Sequence, residues 1–527
     1  MKKTLEIILF SVLPLLVSAQ ERFYSLYPGW EIRRTKEVVG GYIFAGTDTL
    51  DYGYSNTPIY NQVDYMGNLL NTYRYVSDTI YGFSVYSPQS YSFHETFVAA
   101  CGVYKEFTKA YILNPILMYF NRENFYLDSI KDLKSYFNQR SAIFMTQKDN
   151  DGAIVLAGIV QITMDWEGKT FFGIYNRISD SFTYKEYTIP SHCKMTPYQL
   201  HPAHDGGYII STEQDMTYLY PERVKACLVK IDAEGNEQWR YVLGPDSIAT
   251  YRPRVFDAPD GNYYVVWTDP DIITSMHMLN NPLNTIRVAK LTDYGNYAGL
   301  SNERDLFADL GAEVRTYNVI YDCLQTDDGT MYLLLQSVSG YRSVLVKIFP
   351  NGRGAWLRSY RVFPENDPTY SETSLYGMSR TSDGGFMLTG EFISDPGAMF
   401  PNGIYSALAI KVDSCGCLDA EGCNPHCGDS YLPQYIRMPQ AEVYPNPAVD
   451  EIRIVLPDGN GSAGYNIKIY STSGQLLMEE NCLGSDCKSA QAGEFSVNIS
   501  ELPDGHYRVL VSGGGKVYGA GFVKVGW

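Results

Sequence analysis

The chain has 527 residues, of which 45% are apolar and 14% aromatic, and a formal charge of −17. That length exceeds one ordinary domain and can bury a large core. The acidic charge, spread without long runs, disfavours nucleic acid as a partner, whose phosphates need a basic face, and fits a soluble acidic extracellular protein.

Residues 1–19 read as a secretory signal: Lys2 and Lys3 form the basic end, Ile7 to Val17 the apolar run, and Val17-Ser18-Ala19 a small-residue cleavage site before Gln20. The apolar run is too short to span a bilayer, and no other transmembrane candidate follows.

From residue 20 onward a turn followed by a short apolar strand recurs. Its copies are Val39-Gly40-Gly41-Tyr42, Asp151-Gly152-Ala153-Ile154, Asp205-Gly206-Gly207-Tyr208, Asp260-Gly261-Asn262-Tyr263, Asp328-Gly329-Thr330-Met331 and Asp383-Gly384-Gly385-Phe386. Gly after Asp is what a turn needing positive φ demands. The steps from Gly152 to Gly384 are 54, 55, 68 and 55 residues, and Gly40 to Gly152 is 112, twice 56. A copy without the Asp-Gly falls at Phe97-Val98-Ala99-Ala100-Cys101-Gly102, which makes seven units.

A second marker follows the later turns, with Lys and Gly five apart: Lys230 and Gly235, Lys290 and Gly295, Lys347 and Gly352, Lys411 and Gly416. It reads as a strand running into a Gly-bearing hairpin turn, and Trp239 and Trp356 four residues beyond are expected to pack on the next strand. Each unit thus holds about four strands in roughly 55 residues, the size of one propeller blade. The fold expected is all-β: a seven-bladed β-propeller over residues 20–413. No sustained 3.6-residue apolar period argues for helices. The most helix-like stretch, Ser129 to Phe137, is expected to be a loop excursion in the second or third blade. The seventh unit, about Leu375 to Asp413, lacks an outer strand, so ring closure predicts that Phe23 to Tyr27 supplies it.

Ten Cys in an exported chain are disulfide candidates. Cys415, Cys417, Cys423 and Cys427 crowd together, and Cys482 and Cys487 lie close; Cys-x-Cys-x5-Cys-x3-Cys is not a common zinc spacing, so these six are read as structural staples. Residues 414–440 form a Cys-rich linker. Residues 441–527 then hold short alternating strands, as in a small Ig-like β-sandwich.

That tail resembles the type A C-terminal sorting domain of the type IX secretion system of Bacteroidota. The residues carrying the likeness are Tyr444, Pro445, Asn446, Pro447 and Asp450, then Gly474 after Ile469-Tyr470, then Leu502, Pro503, Gly505, Tyr507 and Lys524. The resemblance implies export across both membranes, recognition of the tail by the secretion machinery, a sortase-like step and delivery to the cell surface. The repeat region also looks like the divergent propellers attached to such tails.

Chemistry is hardly signalled; no catalytic, metal-binding or cofactor residue is assigned. His201, His204 and Asp205 are candidate ligands for a divalent ion, weighed against a hydrated loop, and Asp149-Asn150-Asp151-Gly152 resembles the start of a calcium loop without its distal Glu. A sialidase-like hydrolase would need paired carboxylates, or Tyr activated by Glu, with arginine clamps; Arg252, Arg254, Glu95, Asp165 and Asp257 are candidates. The reading favoured is a non-catalytic module that binds glycan, peptide or protein on the propeller's loop face. The alternatives are a propeller glycoside hydrolase and a structural surface component.

Overall fold

A computed structural model describes residues 22–29, 31–49, 56–74, 81–84, 91–93, 97–106, 109–121, 127–137, 141–148, 153–160, 168–187, 194–215, 224–244, 249–270, 284–310, 318–337, 342–364, 371–394, 404–418, 427, 431–457, 465–471, 476–482, 493–513 and 516–526. The signal segment, Gly152, the Asp149–Gly152 loop, Glu95, Asp165, Cys423, Gly474 and Cys487 lie outside them.

Seven antiparallel sheets follow one another along the chain as blades. Blade 1 runs from its inner strand Glu31–Val38 to Leu69–Arg74, blade 3 from Ser141–Lys148 to Ser181–Tyr187, blade 4 from Lys194–Pro202 to Glu237–Val242, blade 5 from Tyr251–Asp257 to Ala298–Asp305, blade 6 from Asn318–Gln325 to Gly354–Pro364 and blade 7 from Ser371–Arg380 to Ile404–Val412. In blade 2 the inner position is shared by Tyr81–Ser84 and Tyr91–Phe93, both paired with Phe97–Glu106. Ser129 belongs to the outer strand of that blade, Leu127–Asp132, and only Lys134–Tyr136 makes a short helical turn. The first part of the expected loop excursion, Ser129 to Asp132, is therefore strand, because pairing with Lys109–Asn121 overrides the local helix-like pattern there.

The ring closes as predicted. Phe23–Tyr27 pairs antiparallel with Ile404–Val412, from Phe23 opposite Lys411 to Tyr27 opposite Ala407, and completes the seventh sheet. The first and last strands of the ring thus share a blade, and the sheet edge that would otherwise be open is covered.

The two recurring turns fold together. At Gly384 φ is +84°, the left-handed region that a Cβ penalises. At Gly385 a Cβ would sit 2.3 Å from the Val412 carbonyl oxygen, so the third strand passes too close for any side chain. The turn aspartates then meet the Lys of the second marker: Lys411 Nζ lies 2.7 Å from Asp383 Oδ2, and Lys230 and Lys290 pair with Asp205 and Asp260. Tyrosines on outer strands lock neighbouring blades by donating to the Gly carbonyl of the next hairpin: Tyr27 to Gly67 at 2.8 Å, Tyr187 to Gly235 at 2.8 Å and Tyr360 to Gly416 at 2.6 Å. Trp239 and Trp356 are buried, as the spacing implied.

Past the ring, Cys415 and Cys427 are disulfide-bonded with Cα atoms 5.2 Å apart, and Cys417 and Cys482 are also in disulfides. Tyr431–Met438 then adds to blade 6 as a fifth strand, parallel to Gly354–Pro364. The tail is a sandwich of a three-stranded sheet (Glu442–Tyr444, Glu451–Val455, Glu494–Asn498) and a four-stranded sheet (Leu476–Cys482, Tyr465–Ser471, Gly505–Gly513, Lys516–Lys524).

One tail strand is buried on both faces. Tyr465, Ile467 and Ile469 enter the sandwich core, while Asn466, Lys468 and Tyr470 face the propeller and are equally buried. Tyr470, Leu510 and Val517 share one apolar cluster with Leu26, Leu408 and Ile410 of blade 7, and Lys468 Nζ donates to the Tyr27 carbonyl at 3.1 Å. The tail is docked on the strand that closes the ring.

Candidate binding site at the ring axis

Six inner strands each carry a register shift in their first half or at their middle. The residue left unopposed is Arg33 in blade 1, Phe144 in blade 3, Tyr198 in blade 4, Tyr321 in blade 6 and Tyr376 in blade 7; in blade 5 the shift spans Arg252 and Pro253. A bulge leaves one residue unpaired and re-aims it out of the sheet. The innermost strands face the axis of a propeller, so the bulges of blades 1, 4, 5, 6 and 7 set side chains there.

The side chains of Arg33, Tyr376, Tyr321, Arg252 and Tyr198 touch in that order. The Arg33 guanidinium lies 4.2 Å from the Tyr376 ring centroid, and Tyr376 and Tyr321 rings are 5.1 Å apart. Arg252 lies 4.6 Å from the Tyr321 ring and 5.4 Å from the Tyr198 ring. A girdle of two arginines and three tyrosines thus runs from blade 1 through blades 7, 6 and 5 to blade 4. Arginine over an aromatic face is attractive, more so when partly desolvated.

Carboxyls anchor the girdle from behind. Tyr198 donates to Glu213 Oε2 at 2.9 Å, the Arg252 backbone N–H donates to Glu213 Oε1 at 2.7 Å, and Tyr376 donates to Glu391. Glu31 holds Arg33 at 2.6 Å and accepts from Thr47 at 3.0 Å. Burial, then the Glu31 charge, push the Glu391 carboxyl up to about 8, and burial pushes Glu213 up against the pull of Arg252. Burial also raises the Tyr198 and Tyr376 phenols well above their ordinary range. These phenols stay protonated at neutral pH and serve as donors, not as phenolate nucleophiles.

Arg252 is strained. Its φ is +46° and it precedes Pro253, two features that an L-residue rarely combines. Burial acts to lower its guanidinium, and the neighbouring Tyr198, Tyr321 and Glu213 groups together more than offset it, so the charge is held. Among the described residues no carboxylate forms an ion pair with it. Arg254 lies 5.8 Å from the Tyr198 ring centroid and donates to the Pro253, Ile320 and Tyr321 carbonyls at 3.0, 3.3 and 3.1 Å.

Of the remaining sequence candidates, His201 and His204 both meet Asp257 Oδ1, at 3.0 and 3.3 Å, and His204 stacks on Tyr263 at 5.0 Å. Asp205 is drawn away to Lys230. Among the described residues no group of three or more His, Cys, Asp or Glu is arranged to hold a metal. Sequence reasoning singled out Arg252 but missed Arg33, Tyr198, Tyr321 and Tyr376. A signal existed: Phe144, Tyr198, Tyr321 and Tyr376 each stand eight residues before a turn Gly, Arg33 seven and Arg252 nine.

In the tail, Asn446 Oδ1 accepts from Val523 N–H at 2.9 Å, Lys524 Nζ donates to the Leu502 carbonyl at 2.6 Å, Tyr507 donates to the Pro503 carbonyl, and Ile499 N–H donates to the Asp450 carbonyl at 2.7 Å. These motif residues fasten the chain end to the two loops beside it.

Residues 442–524 match the family described as the secretion system C-terminal sorting domain. Compared with curated proteins, the chain matches none. Among solved structures it is similar to PorZ, an essential bacterial surface component of the type-IX secretion system of Porphyromonas gingivalis, at 11% identity and TM-score 0.40 over 94% of this chain and 59% of that one. The chain therefore spans 59% of that protein's length. It is also similar to polysaccharide lyase Uly1 (8% identity, TM-score 0.44, 74% of this chain and 91% of that one). A third likeness is to the Bombyx mori GH32 β-fructofuranosidase BmSUC1 (11% identity, TM-score 0.29, 74% and 91%). At such scores these likenesses carry no argument about activity. No helix among the described residues is long and apolar enough to cross a membrane. Residues 442–524 are a secretion system C-terminal sorting domain, and the chain is a propeller-like surface protein that the type IX system exports.

Proposed function

We propose that the protein is a non-catalytic binding module displayed at the cell surface, with its ligand, a glycan or a peptide, held at the axial girdle and the loops around it. Residues 20–413 form the ring, 414–440 the Cys-rich connector and 441–527 the sorting domain, which engages the secretion machinery and a sortase. The observation that carries the reading is Arg252, strained at φ +46° between two tyrosine rings. Strain of this kind costs on the order of 1–3 kcal/mol and persists where surrounding structure imposes it, commonly at ligand clamps. Flat aromatic faces beside a guanidinium suit ring stacking with hydrogen bonding at the rim.

A second reading, a glycoside hydrolase, has one observation in its favour: Glu391 is pushed up to about 8 partly by the Glu31 charge, the pattern of an acid beside an ionised carboxylate. Both carboxyls are buried and bonded to protein groups, which favours the binding reading. The test is a glycan and peptide array probed with the oxidised full-length chain, with product analysis on every hit. Binding without turnover, lost in Arg252→Gly, supports the module. Turnover lost in Glu391→Gln overturns it in favour of the hydrolase.

A further inference from the structure

The sorting domain has two sheet faces, and the propeller already occupies one. Asn466, Lys468, Tyr470, Leu510, Ser512 and Val517 of the four-stranded sheet are buried, three of them in the cluster shared with blade 7. Glu479 on the same sheet is tied to Arg74 of blade 1 at 2.7 Å. A receptor cannot reach that surface while the tail is docked.

The three-stranded sheet is different. Ile452, Ile454, Phe495 and Val497 point into the sandwich, and the alternate residues point out. The outward set is mostly polar: Glu442, Tyr444, Glu451, Arg453 and Asn498 are exposed, and Glu494, Ser496 and Val455 are half-buried. Tyr444 and Arg453 oppose each other across two strands and both reach Glu494, at 3.0 and 3.6 Å. The face carries three carboxylates and one guanidinium, so it is net acidic.

We propose that the export machinery docks on this outer face of the three-stranded sheet, through Glu442, Tyr444, Glu451 and Glu494, and that the partner is a protein surface presenting Lys or Arg. Complementary charge steers encounter and fixes register, and like charge set against a basic partner is strongly unfavourable. The face belongs to the docked, fully folded chain, so the signal is read without undocking the tail.

The test places full-length variants in a host carrying the type IX system and compares surface copies, removed by protease from intact cells, with periplasmic copies. Glu442→Lys with Glu451→Lys is expected to cut surface copies about tenfold and raise the periplasmic pool, while circular dichroism and the thermal transition of the purified chain match those of the parent. Glu442→Gln with Glu451→Gln, which removes charge and keeps shape, lowers display in the same direction. His506→Glu with Arg508→Glu, exposed at the uncovered end of the four-stranded sheet, is displayed as the parent is. Parental display of both Glu442/Glu451 pairs, or retention of the His506/Arg508 variant alone, overturns the proposal and moves the recognition face to the other sheet.

Discussion

The Lys–Asp pairs that join the two recurring turns differ in burial, and that difference sets their energetic weight. Lys411 is 1% exposed against Asp383 at 23%, and Lys230 is 3% exposed between Asp205 at 43% and Asp293 at 15%. Lys290 is 25% exposed and Asp260 48%. Replacing lysine by methionine keeps the chain length and deletes the charge. Breaking a buried pair costs about 3–5 kcal/mol because the partner stays behind uncompensated. Asp383 keeps the Gly385 N–H at 3.0 Å and the Thr381 hydroxyl at 2.6 Å, as well as some water. Lys411→Met is therefore expected to cost about 2–3 kcal/mol, and Lys230→Met about the same. Lys290→Met belongs with surface pairs, at about 0–1 kcal/mol. Urea denaturation of the full chain at pH 7 reads the series.

The same series has a pH signature. Burial pushes the Asp383 carboxyl up, and the Lys411 hydrogen bond with Thr381 and Gly385 more than reverses it, so the folded value lies below the ordinary one. A carboxyl depressed in the folded state contributes stability above its unfolded value, about 4, and loses it as pH falls through the folded value. The gap between parent and Lys411→Met should narrow below about pH 4. A neutral Lys411→Met, or a Lys290→Met as costly as Lys411→Met, would refute the assignment of weight by burial.

Three further outcomes are expected. Arg252→Gly relieves a left-handed non-glycine residue, so it should leave stability unchanged or raise it by about 1 kcal/mol while abolishing array binding; a loss of stability with binding intact would sink the girdle as the site. Glu391 is raised, so the folded state holds a proton that the unfolded chain gives up, and stability falls as pH climbs from about 4.3 towards 8. Glu391→Gln should make that slope shallower and should be more stable than the parent above pH 8; parallel pH profiles would contradict it. Cys415 and Cys427 close a loop of sequence separation 12, and on the chain-entropy account Cys427→Ser should cost about 3 kcal/mol in oxidising buffer; equal urea midpoints would show the bond contributes little.

The ring was legible because its punctuation is local. A turn at positive φ needs Gly, and an aspartate preceding it can accept from the N–H two residues on, as Asp205, Asp328 and Asp383 do. Such chemistry depends on neighbours in sequence, so it repeats visibly at the blade period. The missing outer strand of the seventh unit was legible for the same reason: strands can be counted. Ser129 to Phe137 misled because a short amphipathic stretch does not say whether a strand waits beside it.

The period, the seven blades, the closing strand and the sorting tail can all be read from residue order, since each rests on local turn chemistry or on a compact motif. Which side chains meet is a matter of the folded ring. Arg33, Tyr198, Arg252, Tyr321 and Tyr376 are spread over more than 340 residues and become neighbours only when each inner strand bulges at the same height around one axis. Likewise, nothing local in Tyr465–Ser471 marks its second buried face; that face exists because blade 7 stands against it. Long-range register places these groups, and register is set by the whole ring, not by any segment of it.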